Sequence, residues 1–308
     1  MKTTRFKIMA VLVLLTTGLA GCSTVALSGR NRVNLIPDSQ VLQASFAQYQ
    51  EFMAKAPKSR NTKQVQRVVQ IGQRIAKATD AYLRASGLAA DADNFRWEFN
   101  LIASDQVNAF CMPGGKIVVY EGILPVTKND DQLATVISHE VAHAVAKHAN
   151  ERMSQQVLQQ YGASALGLLL GGKGRATQQV ASILYGVGSQ AFFTLPYSRK
   201  HEYEADKIGL YLMAIAGFDY TQAEVFWKNM AGGKSQEGQS DFWSTHPTDA
   251  KRIQAIHDEL PNVRAFLSGG KASIPTPKNA SAITPTAQKS VNMSDINKGR
   301  TTPIKTRY

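Results

Sequence analysis

Cysteine is scarce in this chain of 308 residues, which has only Cys22 and Cys111. A fold held together by several disulfides is therefore excluded, and stability has to come from a buried core. No sequence repeat is evident, which excludes a tandem-repeat binding module. Long apolar runs are also missing, because Ile8–Leu15 and Gly162–Gly172 are too short to cross a bilayer as helices. The hydrophobic fraction of 44% is that of a globular protein, so we expect one sizeable domain.

Acidic residues are outnumbered, with 23 Asp and Glu against 35 Lys and Arg and a net charge of +12. The amino-terminal run contributes three of these charges and residues 271–308 contribute six, which leaves +3 for the residues between. Residues 269–308 are rich in Ser, Thr, Pro, Lys and Asn, a composition typical of a disordered basic tail. A solvated tail is favoured over one that contacts anionic lipid. Because the basic charge lies outside the body of the chain, we expect no nucleic-acid partner.

The amino terminus has the pattern of a bacterial lipoprotein signal. Three basic residues precede an apolar run, and Leu19-Ala20-Gly21-Cys22 resembles a lipobox. This pattern predicts a signal peptide over 1–21, acylation of Cys22 and a lipid-anchored tether over 22–37. The alternative is an ordinary signal peptide with an incidental cysteine. Ser23 resembles the sorting residue of lipoproteins that reach the outer membrane.

The apolar stretch from Leu133 to His148 contains the sequence His139-Glu140-Val141-Ala142-His143. In a helix, His139 and His143 lie one turn apart on the same face and can bind one zinc ion, with Glu140 beside them. A catalytic zinc usually has three protein ligands and an open position for water, and a neighbouring carboxylate can take the proton of that water. The motif therefore predicts a zinc peptidase that still needs a third ligand.

Hydrophobic periodicity predicts helices before and around this motif and a small sheet just before it. The helices are expected at 39–55, 62–86 and 180–195, and the strands at 97–102, 107–112 and 116–120. Pro113-Gly114-Gly115 predicts a turn between the last two strands, and Asn129 is a candidate cap for the zinc helix. The segment Gly162–Gly174 is interpreted as a mobile connection between core helices, with a substrate lid or membrane-touching loop as the alternative.

The third ligand is expected in the segment from Ser198 to Asp206. Glu202 and Asp206 share a helix face, so Glu202 can bind zinc while Asp206 accepts the outer N–H of a ligating histidine. His201 and Glu204 point elsewhere on that helix. They are expected to be solvated or to lie outside the metal's own ligands.

These motifs, in this order, resemble peptidase family M48, the zinc-dependent class that includes the Ste24 and Oma1-type proteases. The resemblance covers most of residues 28–260, and its residues are Ser28-Gly29-Arg30, Asn108-Ala109-Phe110, Pro113-Gly114-Gly115, His139-Glu140-x-x-His143, Glu202-Tyr203-Glu204-Ala205-Asp206, Thr245-His246-Pro247 and Arg252. Cys111 stands where a small residue such as Ala or Ser is expected, and a buried structural thiol is the favoured reading.

The resemblance implies one Zn²⁺ per chain, bound by His139, His143 and Glu202, with Glu140 as general base and later as proton donor. His246 is a further catalytic candidate. It could reach the oxyanion, occupy the open zinc position in a resting state, or be a histidine at a helix start held by Pro247. Arg252 either braces the cleft or makes a surface salt bridge.

The implied fold is a helix-rich α+β zincin domain of the gluzincin type, over 38–268, with a small β-sheet beside the active-site helix. The family also implies an edge strand on which substrate backbone pairs, and Asn108, Ala109 and Phe110 match that place. Such pairing favours extended chains over any one sequence.

The expected function is a membrane-anchored zinc endopeptidase that cleaves unfolded or misassembled cell-envelope proteins. The expected place is the periplasmic face of the outer membrane, where the assembly machinery of that membrane would be a further partner. The inner membrane is the less favoured place. A latent protease that acts mainly as a chaperone or assembly factor for outer-membrane proteins is the alternative, and a peptidoglycan or lipid hydrolase is disfavoured by the complete order of motifs.

Overall fold

The computed structural model describes residues 22–170, 197–232, 242, 245–246 and 250–269. The strands are β1 (Cys22–Thr24), β2 (Asn31–Val33), β3 (Glu98–Ile102), β4 (Ala109–Met112) and β5 (Lys116–Tyr120). The helices are α1 (Asp38–Lys55), α2 (Thr62–Ala85), α3 (Ala89–Asp93), α4 (Asp130–Val145), α5 (His148–Leu170), α6 (Arg199–Ala216), α7 (Gln222–Gly232) and α8 (Ala250–Leu267). The predicted helix-rich α+β architecture is confirmed.

Helix α4 is the centre of the molecule. The Asn129 side chain accepts a hydrogen bond from the backbone N–H of Gln132 at 2.8 Å, so the predicted cap is confirmed. Leu133, Val136, Ile137 and Val141 are fully buried. The helix packs against α2, α6, α7 and β4. Because α4 is enclosed on these sides, its polar side chains lie inside the protein rather than at its surface.

The three-stranded sheet has the order β3-β5-β4, so β4 is an edge strand. It is antiparallel to β5 and joined to it by the predicted turn, in which Gly114 and Gly115 have φ of 86° and 83°. These left-handed values strain any residue with a Cβ. Strand β3 is parallel to β5, and β4 faces α4.

Residues 22–37 fold against the domain, and the expectation of a tether without structure is corrected. Strands β1 and β2 form an antiparallel hairpin, and Val25 and Leu27 between them are buried in the main core. Burial of two such side chains contributes a few kcal/mol, at roughly 1.5–3 kcal/mol each. The apolar sequence Val25-Ala26-Leu27 is therefore core rather than linker.

The sequence suggested that helix α4 extends to His148, but the helix ends at Val145. Lys147 adopts a left-handed conformation with φ of 56°, and α5 begins at the next residue. Helix α5 continues to Leu170, so the first half of Gly162–Gly174 is helical rather than a mobile connection. The remainder of Gly162–Gly174 lies outside the described residues. The same is true of the helix expected at 180–195, the signal at 1–21 and the tail from 270. In the described part of the chain, no helix combines the length and apolarity needed to cross a membrane.

Candidate metal centre

Helix α4 places the two histidines of the motif one turn apart in the interior. His139, Glu140 and His143 are each 1% exposed. The α-helical rise of about 5.4 Å per turn aligns His139 and His143 on one face, as the sequence predicted. The Nε2 atoms of the two rings are 3.1 Å apart, so both point to the same spot.

Helix α6 carries the predicted third ligand to this spot. The helix is capped by Ser198, whose side chain accepts from the N–H of His201 at 3.3 Å. It lies close to α4 at Gly209, where an added Cβ would be 3.3 Å from the backbone nitrogen of His139. This close approach brings Glu202, which is fully buried, next to both histidines.

Donor atoms of three residues converge with the spacing of metal ligands. The Oε2 atom of Glu202 is 3.3 Å from His139 Nε2, and its Oε1 atom is 3.4 Å from His143 Nε2. Ligands at about 2.0–2.1 Å in a tetrahedron around zinc lie roughly 3.3 Å from one another, which these distances match. Together with His246, the three residues form a buried group whose ligand atoms all lie within 4.8 Å of one another. The donor set of two imidazoles and a carboxylate suits Zn²⁺.

The outer ring nitrogens of both histidines are engaged by partners. His139 Nδ1 is 2.9 Å from Asp206 Oδ1, as the sequence predicted for Asp206. His143 Nδ1 is 2.8 Å from His148 Nδ1, and His148 Nε2 in turn is 2.8 Å from Glu204 Oε2. Occupied outer nitrogens fix the ring orientations and leave the Nε2 atoms for a metal.

Charge accumulates around the donor atoms. Burial lowers the pKa of His139, but the carboxylates of Asp206 and Glu202 outweigh it and raise the pKa to about 9. Burial by itself would raise the pKa of Glu202, yet His246 and Arg252 lower it well below the usual range. A ligating carboxylate must be ionised, so the lowered pKa of Glu202 favours binding of a divalent cation at these donor atoms.

Burial is the main cause of the pKa shifts of the other two residues of the motif. It raises the pKa of the Glu140 carboxyl, and it lowers the pKa of His143 well below its usual value. A neutral imidazole is the form that binds metal. A carboxylate with a raised pKa is a better proton acceptor at neutral pH.

His246 lies inside the cluster, so the reading of a histidine that only starts a helix is wrong. Its side chain is 2% exposed, and its Nδ1 atom is 3.1 Å from Glu202 Oε1 and 3.3 Å from His139 Nε2. Its Nε2 atom is 3.3 Å from Glu140 Oε1. His246 thus supplies a fourth donor and also contacts the candidate base.

Arg252 braces the cluster from behind, which corrects the alternative of a surface salt bridge. The guanidinium is buried and donates to both oxygens of Asp206, at 2.5 and 2.9 Å. Its Nη1 atom is 2.8 Å from Glu202 Oε2. Its carbon Cζ lies 3.8 Å from the ring centre of Trp227, which also contacts His139 edge-on. One cation therefore holds the carboxylates of Glu202 and Asp206 in place.

The edge strand passes directly beside Glu140. The carbonyl of Asn108 accepts a hydrogen bond from β5. Residues along an antiparallel strand alternate between bonding to the neighbouring strand and pointing away from it. The backbone groups of Val107, Ala109 and Cys111 therefore point away from β5. The backbone N–H of Cys111 donates to the Glu140 carboxylate. The Val107 carbonyl accepts from the N–H of Phe242 at 3.2 Å. Between them, the backbone of Ala109 faces the cleft.

The three residues expected on the edge strand differ from one another in position. Asn108 precedes β4, and its side chain accepts from the N–H of Ala109 at 2.8 Å. Phe110 bonds toward β5, and its ring lies 5.4 Å from that of Phe52. The Cys111 thiol is buried, as predicted for a structural residue, and burial raises its pKa.

A largely apolar pocket opens next to the cluster. Its lining includes His143 and Tyr197 on one side and, on the other, Cys111 of the edge strand and Pro113 of the following turn, with Leu42 from α1.

Several residues around the site had no clear signal in the sequence. Tyr197 lies with its ring centre 3.7 Å from that of His143, directly before the α6 cap. Glu204 was expected to point elsewhere on its helix and His148 was given no role, because the contact between His148 and His143 requires the break at Lys147. Trp227 comes from α7, whose position against α4 no local pattern predicts.

Comparison with known proteins agrees with this geometry. The sequence model described as Peptidase family M48 matches residues 62–260. The chain is 36% identical over 191 residues to the mitochondrial metalloendopeptidase OMA1 of Schizosaccharomyces pombe, which covers 62% of this chain and 53% of that protein. It is 28% identical over 262 residues to the mitochondrial metalloendopeptidase OMA1 of Homo sapiens, covering 82% and 49%.

A bacterial protein is also similar. The chain is 25% identical over 177 residues to the beta-barrel assembly-enhancing protease of Escherichia coli (strain K12), covering 56% of this chain and 36% of that protein. The chain spans about half or less of the length of the curated relatives it matches.

Proposed function

Since the chain belongs to peptidase family M48, whose members are zinc-dependent metallopeptidases, we propose that it is a zinc endopeptidase. In this proposal His139, His143 and Glu202 hold one zinc ion. The observation that carries it is the convergence of their donor atoms at 3.1–3.4 Å, in a buried site whose outer ring nitrogens are already engaged. The predicted ligand set is thus compatible with zinc on distance, charge and donor type.

The chemistry divides between the metal and Glu140. Zinc, when bound, supplies a Lewis acid that polarises the scissile carbonyl and lowers the pKa of water. Glu140 takes the proton of the attacking water, since burial has raised its pKa. Glu140 then gives that proton to the nitrogen of the leaving amine. The N–H of Cys111 orients the carboxylate for both transfers.

His246 is assigned to the oxyanion in this mechanism. Its Nε2 atom lies 3.3 Å from Glu140 Oε1, so the ring borders the space in which a carbonyl would react. A donor aimed at developing negative charge is typically worth about 10²–10³ in kcat. The same ring can occupy the open ligand position in a resting state, because its Nδ1 atom lies within the donor cluster.

Unfolded polypeptides are the proposed substrates. An extended chain can pair with the edge strand at Ala109 once the Asn108 side chain, which accepts from the Ala109 N–H, gives way, and the adjacent apolar pocket can take one of its side chains. Pairing through the backbone favours any chain without stable structure. Intact folded proteins lack such accessible strands.

The cell envelope is the proposed place of action. The lipobox supports acylation of Cys22, and Ser23 supports the periplasmic face of the outer membrane over the inner membrane. The name of the bacterial relatives, beta-barrel assembly-enhancing protease, favours a link to outer-membrane assembly. Misassembled envelope proteins are then the natural substrates, and the assembly machinery is a proposed partner.

A latent protease that serves mainly as a chaperone or assembly factor is the second candidate. The observation that favours it is His246, which fills the fourth donor position of the cluster. Occupation of that position by a protein ligand would exclude water. The same edge strand would then hold client chains without cutting them.

Cleavage of an unfolded protein tests the two candidates. The full chain, solubilised in mild detergent and loaded with zinc, is incubated with casein beside Glu140→Gln and the matched control Glu51→Gln, whose carboxylate is on the surface of α1. We expect Glu140→Gln to retain zinc and to lose about 10²–10⁴ in kcat, as for a general base. The control should cleave like the wild type.

Equal cleavage by wild type and Glu140→Gln would contradict the proposed base. If neither protein cuts while both retain zinc, the latent candidate is supported, and His246→Ala should then release activity. If the wild type binds no zinc, the proposed metal site is wrong.

A further inference from the structure

A buried polar network continues outward from the metal cluster on the His143 side. His148 links the outer nitrogen of His143 to Glu204, at 2.8 Å in each contact. Glu204 also accepts from Arg30 Nε at 2.8 Å and from the Ser28 hydroxyl. The hairpin of β1 and β2 is thereby connected to a proposed zinc ligand more than a hundred residues away in sequence.

The contact between His143 and His148 depends on the break after α4. Five residues along an unbroken α-helix turn a side chain by about 140°, so the two rings would point apart. The left-handed conformation of Lys147 reverses the chain and turns His148 back toward His143. Its ammonium group is held by Asp38 at 2.5 Å and Asp91 at 2.7 Å, so this strained residue is fixed from both sides.

Only one arrangement of protons satisfies the chain of contacts. If His143 offers its Nε2 lone pair to a metal, its Nδ1 carries the hydrogen and donates to His148 Nδ1. His148 then carries its own hydrogen on Nε2 and donates to Glu204. Both contacts of His148 are 2.8 Å long, as this arrangement requires.

A second metal site in this network is disfavoured by the cation already present. The guanidinium of Arg30 lies between Glu151 and Glu204, with its Nη2 atom 2.7 Å from a carboxylate oxygen of each. His201 completes the network through Glu151 at 3.2 Å. Both carboxylates therefore already share a cation that the protein itself supplies, which leaves the network a supporting role.

We propose that His148 is a positioning residue of the zinc site, which fixes the tautomer and ring angle of His143 and is itself fixed by Glu204 and the amino-terminal hairpin. This inference rests on the zinc site of the proposed function. His139 is held by the carboxylate of Asp206 directly, whereas His143 is held by a carboxylate through an intervening imidazole. Loss of such a partner typically weakens metal binding 10–100-fold.

Zinc affinity tests the proposal without reference to catalysis. The full chain in detergent is titrated against a chromophoric zinc chelator as wild type, His148→Leu and His148→Asn. Leucine removes the acceptor for His143, while asparagine offers a carbonyl oxygen near the position of Nδ1. His257→Leu is the matched control, because that histidine is exposed and pairs with Glu224 at the surface.

We expect His148→Leu to bind zinc about 10–100-fold more weakly than the wild type, and His148→Asn to recover most of that loss. Thermal unfolding of the zinc-free variants distinguishes loss of the hydrogen bond from a packing defect. A packing defect would lower the stability and the zinc affinity of both variants in parallel, and asparagine would not restore either. Zinc binding by His148→Leu as tight as that of the His257→Leu control would overturn the proposal, and so would an equal loss in both His148 variants.

Glu204→Gln is the second variant, should His148→Leu not fold. It keeps the shape and removes the charge that holds His148, so zinc binding should weaken in the same direction by a smaller factor. Unchanged affinity in this variant also overturns the proposal. In one outcome, the wild type binds zinc and cleaves casein while the His148 and Glu204 variants bind zinc as tightly as the wild type. That outcome would refute the positioning role alone. A wild type without zinc would refute the proposed function itself.

Discussion

At the scale of single residues, the site was predictable where its members share a helix. His139 and His143 lie four positions apart, as do Glu202 and Asp206, and the helical period alone places each pair on one face. Arg252 and His246 were visible as candidates, but their roles depended on distances that no local pattern contains. His148 was invisible as a partner because helical geometry, applied without the break at Lys147, points it away.

Asp206 has two roles, which can be tested by a substitution that leaves the proposed metal ligands unchanged. It holds His139 at 2.9 Å and accepts two hydrogen bonds from the buried Arg252. In Asp206→Asn we expect zinc affinity to fall about 10–100-fold, because the orienting carboxylate is lost. The free energy of unfolding of the zinc-free protein should also fall, by up to about 3 kcal/mol, since part of the charge of Arg252 loses its partner.

Chelator competition and chemical denaturation measure the two effects. Asp258→Asn is the control, because Asp258 lies exposed on α8 and pairs only with Gln254. Wild-type zinc affinity in Asp206→Asn would show that His139 needs no outer partner.

At the scale of elements, the sequence indicated the type of structure better than its ends and contacts. The helices α1 and α2 and strand β5 lie at or within one residue of their predicted bounds. The hairpin of β1 and β2 was missed because its strands have three residues each, too few for periodicity to be read. Its stability comes from long-range burial and from the network around Arg30, which a local pattern cannot reveal.

The link between this hairpin and α5 should make the domain sensitive to acid. Burial opposes ionisation of Glu151, but hydrogen bonds from His201 and Arg30 prevail and hold its pKa well below the usual range. A depressed pKa in the folded state means that the carboxylate stabilises the fold above its unfolded value of about 4.5, and that this contribution is lost as the pH falls below it.

Thermal unfolding with EDTA between pH 7 and pH 3 measures this effect. We expect Glu151→Gln to be less stable than the wild type at pH 7 and the difference to narrow as the pH falls. Glu51→Gln, at an exposed pair of α1, should follow the wild type throughout. A difference that stays constant across this range would contradict the assigned role of Glu151.

At the scale of the whole molecule, composition and motif order indicated the fold class and the family, while the arrangement of layers came from packing. Helix α4 supplies the metal motif and also the middle of the core, so the site and the core form together. The approach of α6 at Gly209 illustrates this, because a Cβ added there would lie 3.3 Å from the backbone nitrogen of His139. Nothing in the sequence near Gly209 marks it as a contact with α4.

In the proposed site one metal ion joins α4 to α6, so its removal should destabilise the entire domain. Binding to the folded state alone contributes about 2.7 kcal/mol when free zinc is 100 times its dissociation constant. For a domain of this size, that corresponds to a rise in Tm of roughly 5–10 °C. Differential scanning calorimetry with zinc and with EDTA measures the rise, and His143→Ala should abolish it. A Tm that does not respond to zinc in the wild type would contradict a site that bridges the two helices.

The hairpin has a geometric consequence for the proposed lipid anchor. Cys22 is the first residue of β1, and its backbone pairs with Val33. If Cys22 is acylated, no free linker separates the acyl chains from the folded domain. The enzyme would then lie against the bilayer surface with little rotational freedom. Its working range would be a layer about one protein diameter deep, in which a substrate is met by lateral diffusion along the membrane.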